Sequence, residues 1–127
     1  MTPDELQSLI EEATFDHAMG DADPALAKLA RATAADPASF DAWHALAEVN
    51  FALRRFGAAV AAGERAHALR PDDLFINTTL SRAWMEMGDK PKAEHFGARA
   101  KIQGWKAELR QGDAAERGDA PAKQPPA

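Results

Sequence analysis

Apolar side chains recur every three or four residues along most of this chain, in short runs separated by turn-forming residues. Leu6, Leu9, Ile10 and Ala13, with His17 or Phe15, define the stripe of a first helix expected over Thr2–Met19. Pro3, Asp4 and Glu5 suit its first turn, where negative charge meets the positive end of the helix dipole. Gly20-Asp21-Ala22-Asp23-Pro24 reads as a turn, with Asp23 as N-cap of a second helix. That helix should end near Ala35, because Asp36 precedes Pro37 and a residue before proline avoids the helical region. The segment Phe40–Pro71 states the scheme most clearly. Trp43, Leu46 and Ala47 hold helical spacing in its first half and Ala59 and Ala66 in its second, with an Arg-Arg-Phe-Gly break between them. Helices are expected over Ala38–Leu53, with Ser39 as cap, and over Phe56–Leu69. Asp72 or Asp73 can cap a fifth helix reaching Met87, and Gly88-Asp89-Lys90-Pro91 repeats the first turn. A sixth helix begins near Lys90. Ala98, Ile102, Trp105 and Leu109 keep helical spacing, so it should run on to about Gln111, weakened by Gly97 and Gly104.

A shift of 34 residues lays this pattern on itself. Ala25, Ala59 and Ala93 coincide, as do Ala32, Ala66 and Ala100, and Arg31, Arg65 and Arg99. Pro37 meets Pro71, Leu46 meets Leu80, and Gly20 meets Gly88 across two periods. A 34-residue unit of two helices is the signature of the tetratricopeptide repeat, and the chain resembles that family over units near 6–39, 40–73 and 74–107. The middle unit matches best, with Trp43, Leu46, Ala47, Ala59, Ala66 and Pro71 at the family's places. The outer units depart from it. Leu9 and Asn77 stand at the tryptophan place, Glu12 at a leucine place, and Trp105 where a proline would close the third unit. The aromatic of the second helix is missing throughout, its places holding Leu29, Gly63 and Gly97.

The expected fold is therefore all-α, an α-solenoid of three stacked helix-turn-helix repeats over residues 1–111, capped by the extended last helix. Single hairpins cannot bury their apolar stripes alone, whereas stacked neighbours share one core. Small residues at fixed places let the helices approach, and a larger side chain there would overpack by roughly 1–3 kcal/mol. From Gly112 to Ala127 the polar, Pro/Gly/Ala-rich sequence reads as a disordered tail.

Composition narrows the function classes. A net charge of −5 gives no basic footprint for nucleic acid. The chain has no cysteine, so neither disulfides nor thiol chemistry enter. The N-terminal stretch is polar and acidic, without the apolar core of a signal peptide, and no run is long enough to insert in a membrane. A soluble, cytoplasmic protein is expected.

No catalytic constellation stands out, and no enzyme activity or cofactor is expected. His44 and Glu48, four apart, make half a metal site that only His17 could complete, and no metal is expected there. His67 and His95 fall on second helices and should lie on a solvated outer surface. No Gly-rich phosphate loop or nucleophile elbow occurs.

The resemblance implies that the first helix of each unit lines a concave groove. Carried over place by place, the groove residues are Gln7, Ile10, Thr14 and His17; Asp41, His44, Glu48 and Phe51; and Phe75, Thr78, Arg82 and Met85. Phe51, Phe75 and Met85 would be its exposed apolar anchors, and Arg82 would pair with Glu48. Family members that clamp a C-terminal carboxylate do so with basic and amide side chains at places held here by Ile10, Thr14, Ala45, Phe75 and Thr79, so that clamp is absent. The function this implies is a non-enzymatic module binding a peptide or partner protein in the groove. The alternative is a self-associating structural protein, a homodimer through Trp105, Trp84 or an uncapped end, or a small secretion-type chaperone.

Overall fold

The computed structural model describes residues 1–116 as six helices: α1 (Pro3–Ala18), α2 (Ala22–Ala35), α3 (Phe40–Ala52), α4 (Phe56–Leu69), α5 (Leu74–Glu86) and α6 (Lys90–Glu116). The odd helices start with a side-chain cap. Thr2 Oγ1 accepts the Glu5 amide at 3.1 Å while the Glu5 carboxylate accepts the Thr2 amide at 3.3 Å, a reciprocal capping box. Ser39 Oγ accepts from the Ala42 amide at 3.1 Å, and Asp73, rather than Asp72, accepts from Ile76 at 2.9 Å. The even helices α2 and α4 start without one. Asp23 does not cap α2 as expected. The helix begins two residues earlier, at Ala22, which puts Asp23 and Pro24 inside its first turn, where a missing amide proton costs nothing.

The three tight turns within the hairpins are equivalent. Gly20, Arg54 and Gly88, 34 residues apart, all adopt positive φ, at 85°, 61° and 82°. Glycine takes that conformation freely, so the middle unit alone carries a strained residue there.

Successive helices pack as antiparallel neighbours, and the odd helices also touch one another, α1 against α3 and α3 against α5. Among the described residues the even helices do not approach each other so closely. The stack therefore curves toward the layer of odd helices, which forms its inner face.

Burial follows the small residues. Ala13, Ala25, Ala32, Ala47, Ala59, Ala66 and Ala83 are fully enclosed. One cluster joins the first two units through Leu9, Ile10, Ala13, Leu29, Ala32, Ala42 and Val49. A second joins the last two through Phe40, Ala47, Ala62, Ala66, Ile76 and Leu80. Here the missing aromatics find their explanation. Leu29 fills its place directly, whereas at Gly63 the space belongs to the next unit: a Cβ would stand 2.8 Å from Leu80 Cδ2. At Gly97 a Cβ would meet Ser81 Oγ at 3.0 Å, a hydroxyl that donates to the Ala93 carbonyl at 2.7 Å.

The tryptophan place shows a similar exchange. Trp43 Nε1 donates to the Pro37 carbonyl at 2.8 Å, and Asn77 Nδ2 donates to the Pro71 carbonyl at 2.9 Å. Two unlike side chains thus tie the same backbone oxygen in consecutive units.

α6 departs from expectation twice. It continues past Gln111 to Glu116, so Gly112 to Glu116 are helical, and the rest of the expected tail, 117–127, lies outside the described residues. Nor does its extension simply seal the stack. Ile102, Trp105 and Leu109 are exposed.

Candidate functional site

The inner face is built from equivalent positions on α1, α3 and α5, whose spacing of three, four and three residues keeps them on one side of each helix. Its centre is Glu48. The carboxylate is held by His44 Nε2 at 3.1 Å, one turn back on α3, and by Thr79 Oγ1, which donates from α5 at 3.0 Å. The His44 hydrogen bond chiefly, then that from Thr79 and the charge of Arg82, keeps Glu48 below the usual carboxylate range against the opposing effect of burial. Reciprocally, Glu48 raises His44 above the ordinary histidine value. Thr79, which entered the sequence reading only as a place of the absent carboxylate clamp, is buried, and its hydroxyl orients a neighbour.

Arg82 behaves differently from expectation. It makes no ion pair with Glu48; its guanidinium lies over the Phe51 ring, 4.6 Å from the centroid. Phe51 itself is only half-exposed. It packs against Ala59, Val60 and Ala83 and edge-on to Phe56, so it is a wall of the core and not a free anchor. Ile10 is likewise spent, 7% exposed within the first cluster. Both of these apolar residues lie in the seams between helices.

Phe75 and Met85 remain outward, 64% and 54% exposed, at the two ends of the α5 face that carries Thr78 and Arg82 between them. The hydroxyls of Thr78 and Thr14 donate to the carbonyls of Leu74 and Ile10, at 2.9 and 3.0 Å, and so offer only acceptor capacity outward. On the α1–α3 side, Thr14, His17, His44 and Glu48 converge on a shallow cleft of about 350 Å³ floored by Ala45, Val49 and Ala52. Gln7 and Asp41 stand together at its other end, beside a smaller cleft near the start of α1.

His17 does not complete a metal site: among the described residues no three His, Asp or Glu side chains are placed to hold an ion. His67 is not on a freely solvated surface as expected. It is half-buried, its ring 5.4 Å from Phe96 and edge-on, and burial first, then Arg99 and His95, lowers its pKa. Trp84 is also engaged, packed beside Leu80 and Ala83 with Lys92 over its ring. Among the described residues no helix is long and apolar enough to cross a membrane.

No family model matches the chain, and no curated protein matches it either. Solved structures do. MamA AMB-1 superposes with a TM-score of 0.71 at 21% identity over 80% of this chain and 55% of its own. MamA MSR-1 gives 0.72 at 20% identity over 84% and 61%, and a crystal structure of MamA protein gives 0.72 at 15% over 95% and 61%. This chain thus spans between 55% and 61% of those proteins' length. At such identities the likeness establishes the fold, a helical solenoid of the tetratricopeptide type.

Proposed function

We propose that this chain is a non-enzymatic interaction module, holding a peptide segment or partner protein against the inner face of α1, α3 and α5. The observation that carries this reading is the pair Phe75 and Met85. Both stand on one face of a buried-backed helix, about 15 Å apart along its axis at the rise of an α-helix, and no element of the described residues covers them. Enclosing one such side chain contributes roughly 1.5–3 kcal/mol. Between them Thr78 offers an acceptor and Arg82 a cation, and beyond them the Glu48–His44–Thr79 group provides a polar stretch fixed in place by its own hydrogen bonds. A rigid helical layer spares the protein's side most of the ordering cost of binding.

The test is a pull-down from native lysate with wild type beside Phe75→Ala/Met85→Ala. Both positions are exposed, so the variant should keep its helicity. A partner retained by wild type and lost by the variant supports the groove. A partner retained equally by both places the binding surface elsewhere and ends this reading.

A further inference from the structure

The last helix carries a second apolar surface that the groove does not use. Arg99 lies 3.5 Å from the Pro71 carbonyl and from Asp72, residues just before the start of α5. The part of α6 beyond it therefore projects past its packing partner. On the side turned away from Ala93, Gly97 and Ala100, which face α5, stand Ala98, Ile102, Trp105 and Leu109, spaced four, three and four residues apart. That is the spacing of a coiled-coil seam. Trp105 and Leu109 are 55% and 69% exposed.

This seam is not the site for a fourth hairpin. α4 receives the following unit on Val60, Gly63 and His67, which touch Ala83, Leu80 and Phe96. Thirty-four residues on, those places hold Glu94, Gly97 and Lys101, and Glu94 lies 3.9 Å from Lys90. The stacking edge is polar, unlike the edge on which α4 receives its neighbour. Residues 117–127 contain no Leu, Ile, Val, Phe, Met or Trp to lay on the seam.

We infer that the seam's occupant is the same seam of a second copy, lying antiparallel across a two-fold axis between Ile102 and Trp105. Reversed onto itself, the sequence is self-complementary. Ile102 meets Trp105 of the other copy, and Ala98 meets Leu109, a small residue opposite a large one. Along one edge Lys101 falls opposite Glu108, and the symmetry makes that pair twice. The other edge carries Arg99 and Lys106, with Arg99 drawn back toward Asp72 and away from the axis. Four layers make a small interface, so monomer and dimer exchange with concentration.

Sedimentation velocity on the full chain, from about 1 μM to about 1 mM, spans the range in which such an interface would assemble. Wild type should pass from monomer to dimer. Trp105→Ser/Leu109→Ser should stay monomeric throughout with its thermal unfolding unchanged. Lys101→Glu and Glu108→Lys should each weaken the dimer several-fold, and the doubly swapped K101E/E108K should recover it. A wild type that remains monomeric at every concentration, or a dimer that survives the loss of Trp105 and Leu109, overturns the inference. Failure of the charge swap to recover overturns the antiparallel register. None of these outcomes touches the groove.

Discussion

α4 and α6 hold the same place in consecutive hairpins, yet among the described residues one is enclosed and the other is exposed along its far half. Ala59, Ala62 and Ala66 of α4 face α3, while Val60 and Gly63 face α5, so both flanks of the helix are occupied. α6 keeps Ala93 and Ala100 on the matching flank toward its own hairpin partner α5, but its other flank carries Glu94 and Lys101, and Ile102, Trp105 and Leu109 of its far half are exposed. Both helices carry glycine at the same register, but Val60 and His67 of α4 are replaced by Glu94 and Lys101 in α6. The stop differs too. Pro71 ends α4 and starts a new hairpin, whereas Trp105 at the equivalent place lets α6 continue and leaves a seam for something else to cover.

The largest effect should come from the contact that joins the units. Leu80 is fully buried against Gly63, and Leu80→Ala should destabilise by about 3 kcal/mol through lost transfer energy and the cavity left behind. Leu109→Ala, on the open half of α6, should stay within about 0.5 kcal/mol in the monomer. Urea unfolding at low protein concentration reads both. Equal losses would mean that the overhang is packed after all.

A smaller difference is expected where both helices use alanine. Ala66→Leu, with occupied flanks, should cost about 2–3 kcal/mol, and Ala100→Leu about 1, because α6 is held on one side and can itself give way toward solvent. Comparable losses would show that stacking on one side suffices to make the position rigid.

The turns invert the comparison, since here the middle unit is the weaker one. Arg54 adopts the left-handed conformation that Gly20 and Gly88 adopt freely. Its exposed contact with Glu86, at 3.8 Å, returns little. Arg54→Gly should therefore stabilise by about 1 kcal/mol, visible as a raised urea midpoint with unchanged slope. A loss of stability would show that the Arg54 side chain, lying over Phe56, outweighs the strain.

The fold was legible because its signals are local and repeated. The 34-residue coincidence of alanines and prolines placed every helix, and turn and cap residues placed most boundaries. What was not legible depends on neighbours one unit away. Nothing around Gly63 announces that Leu80 will fill its space, and Asn77 gives no sign that it will tie the Pro71 carbonyl as Trp43 ties that of Pro37. For the places expected to line the groove, exposure was not legible. Phe51 and Phe75 hold equivalent places, and only packing decides that Phe51 lies under Arg82 against the core while Phe75 faces outward.

The finest contrast between the two layers is in their histidines. His44 on the inner layer has its pKa raised by Glu48, so the folded state holds its proton more tightly than the unfolded chain does. That contribution is complete below the unfolded value of about 6.5 and is lost as pH rises through the raised folded value. Glu48, being lowered, sets the other limit: its share is lost only as acid brings the pH down through its folded value. His67 on the outer layer is lowered by burial, so the folded state loses stability as pH falls from about 6.5 through its folded pKa. His44→Gln should therefore cost stability near pH 6, by about 0.3–0.5 kcal/mol for a half-exposed i,i+4 pair, and cost less at alkaline pH. His67→Gln should reduce the loss on acidification instead. Urea midpoints measured for both variants from pH 5 to pH 9 read the two signs, and equal slopes would mean that the two layers do not hold their histidines differently.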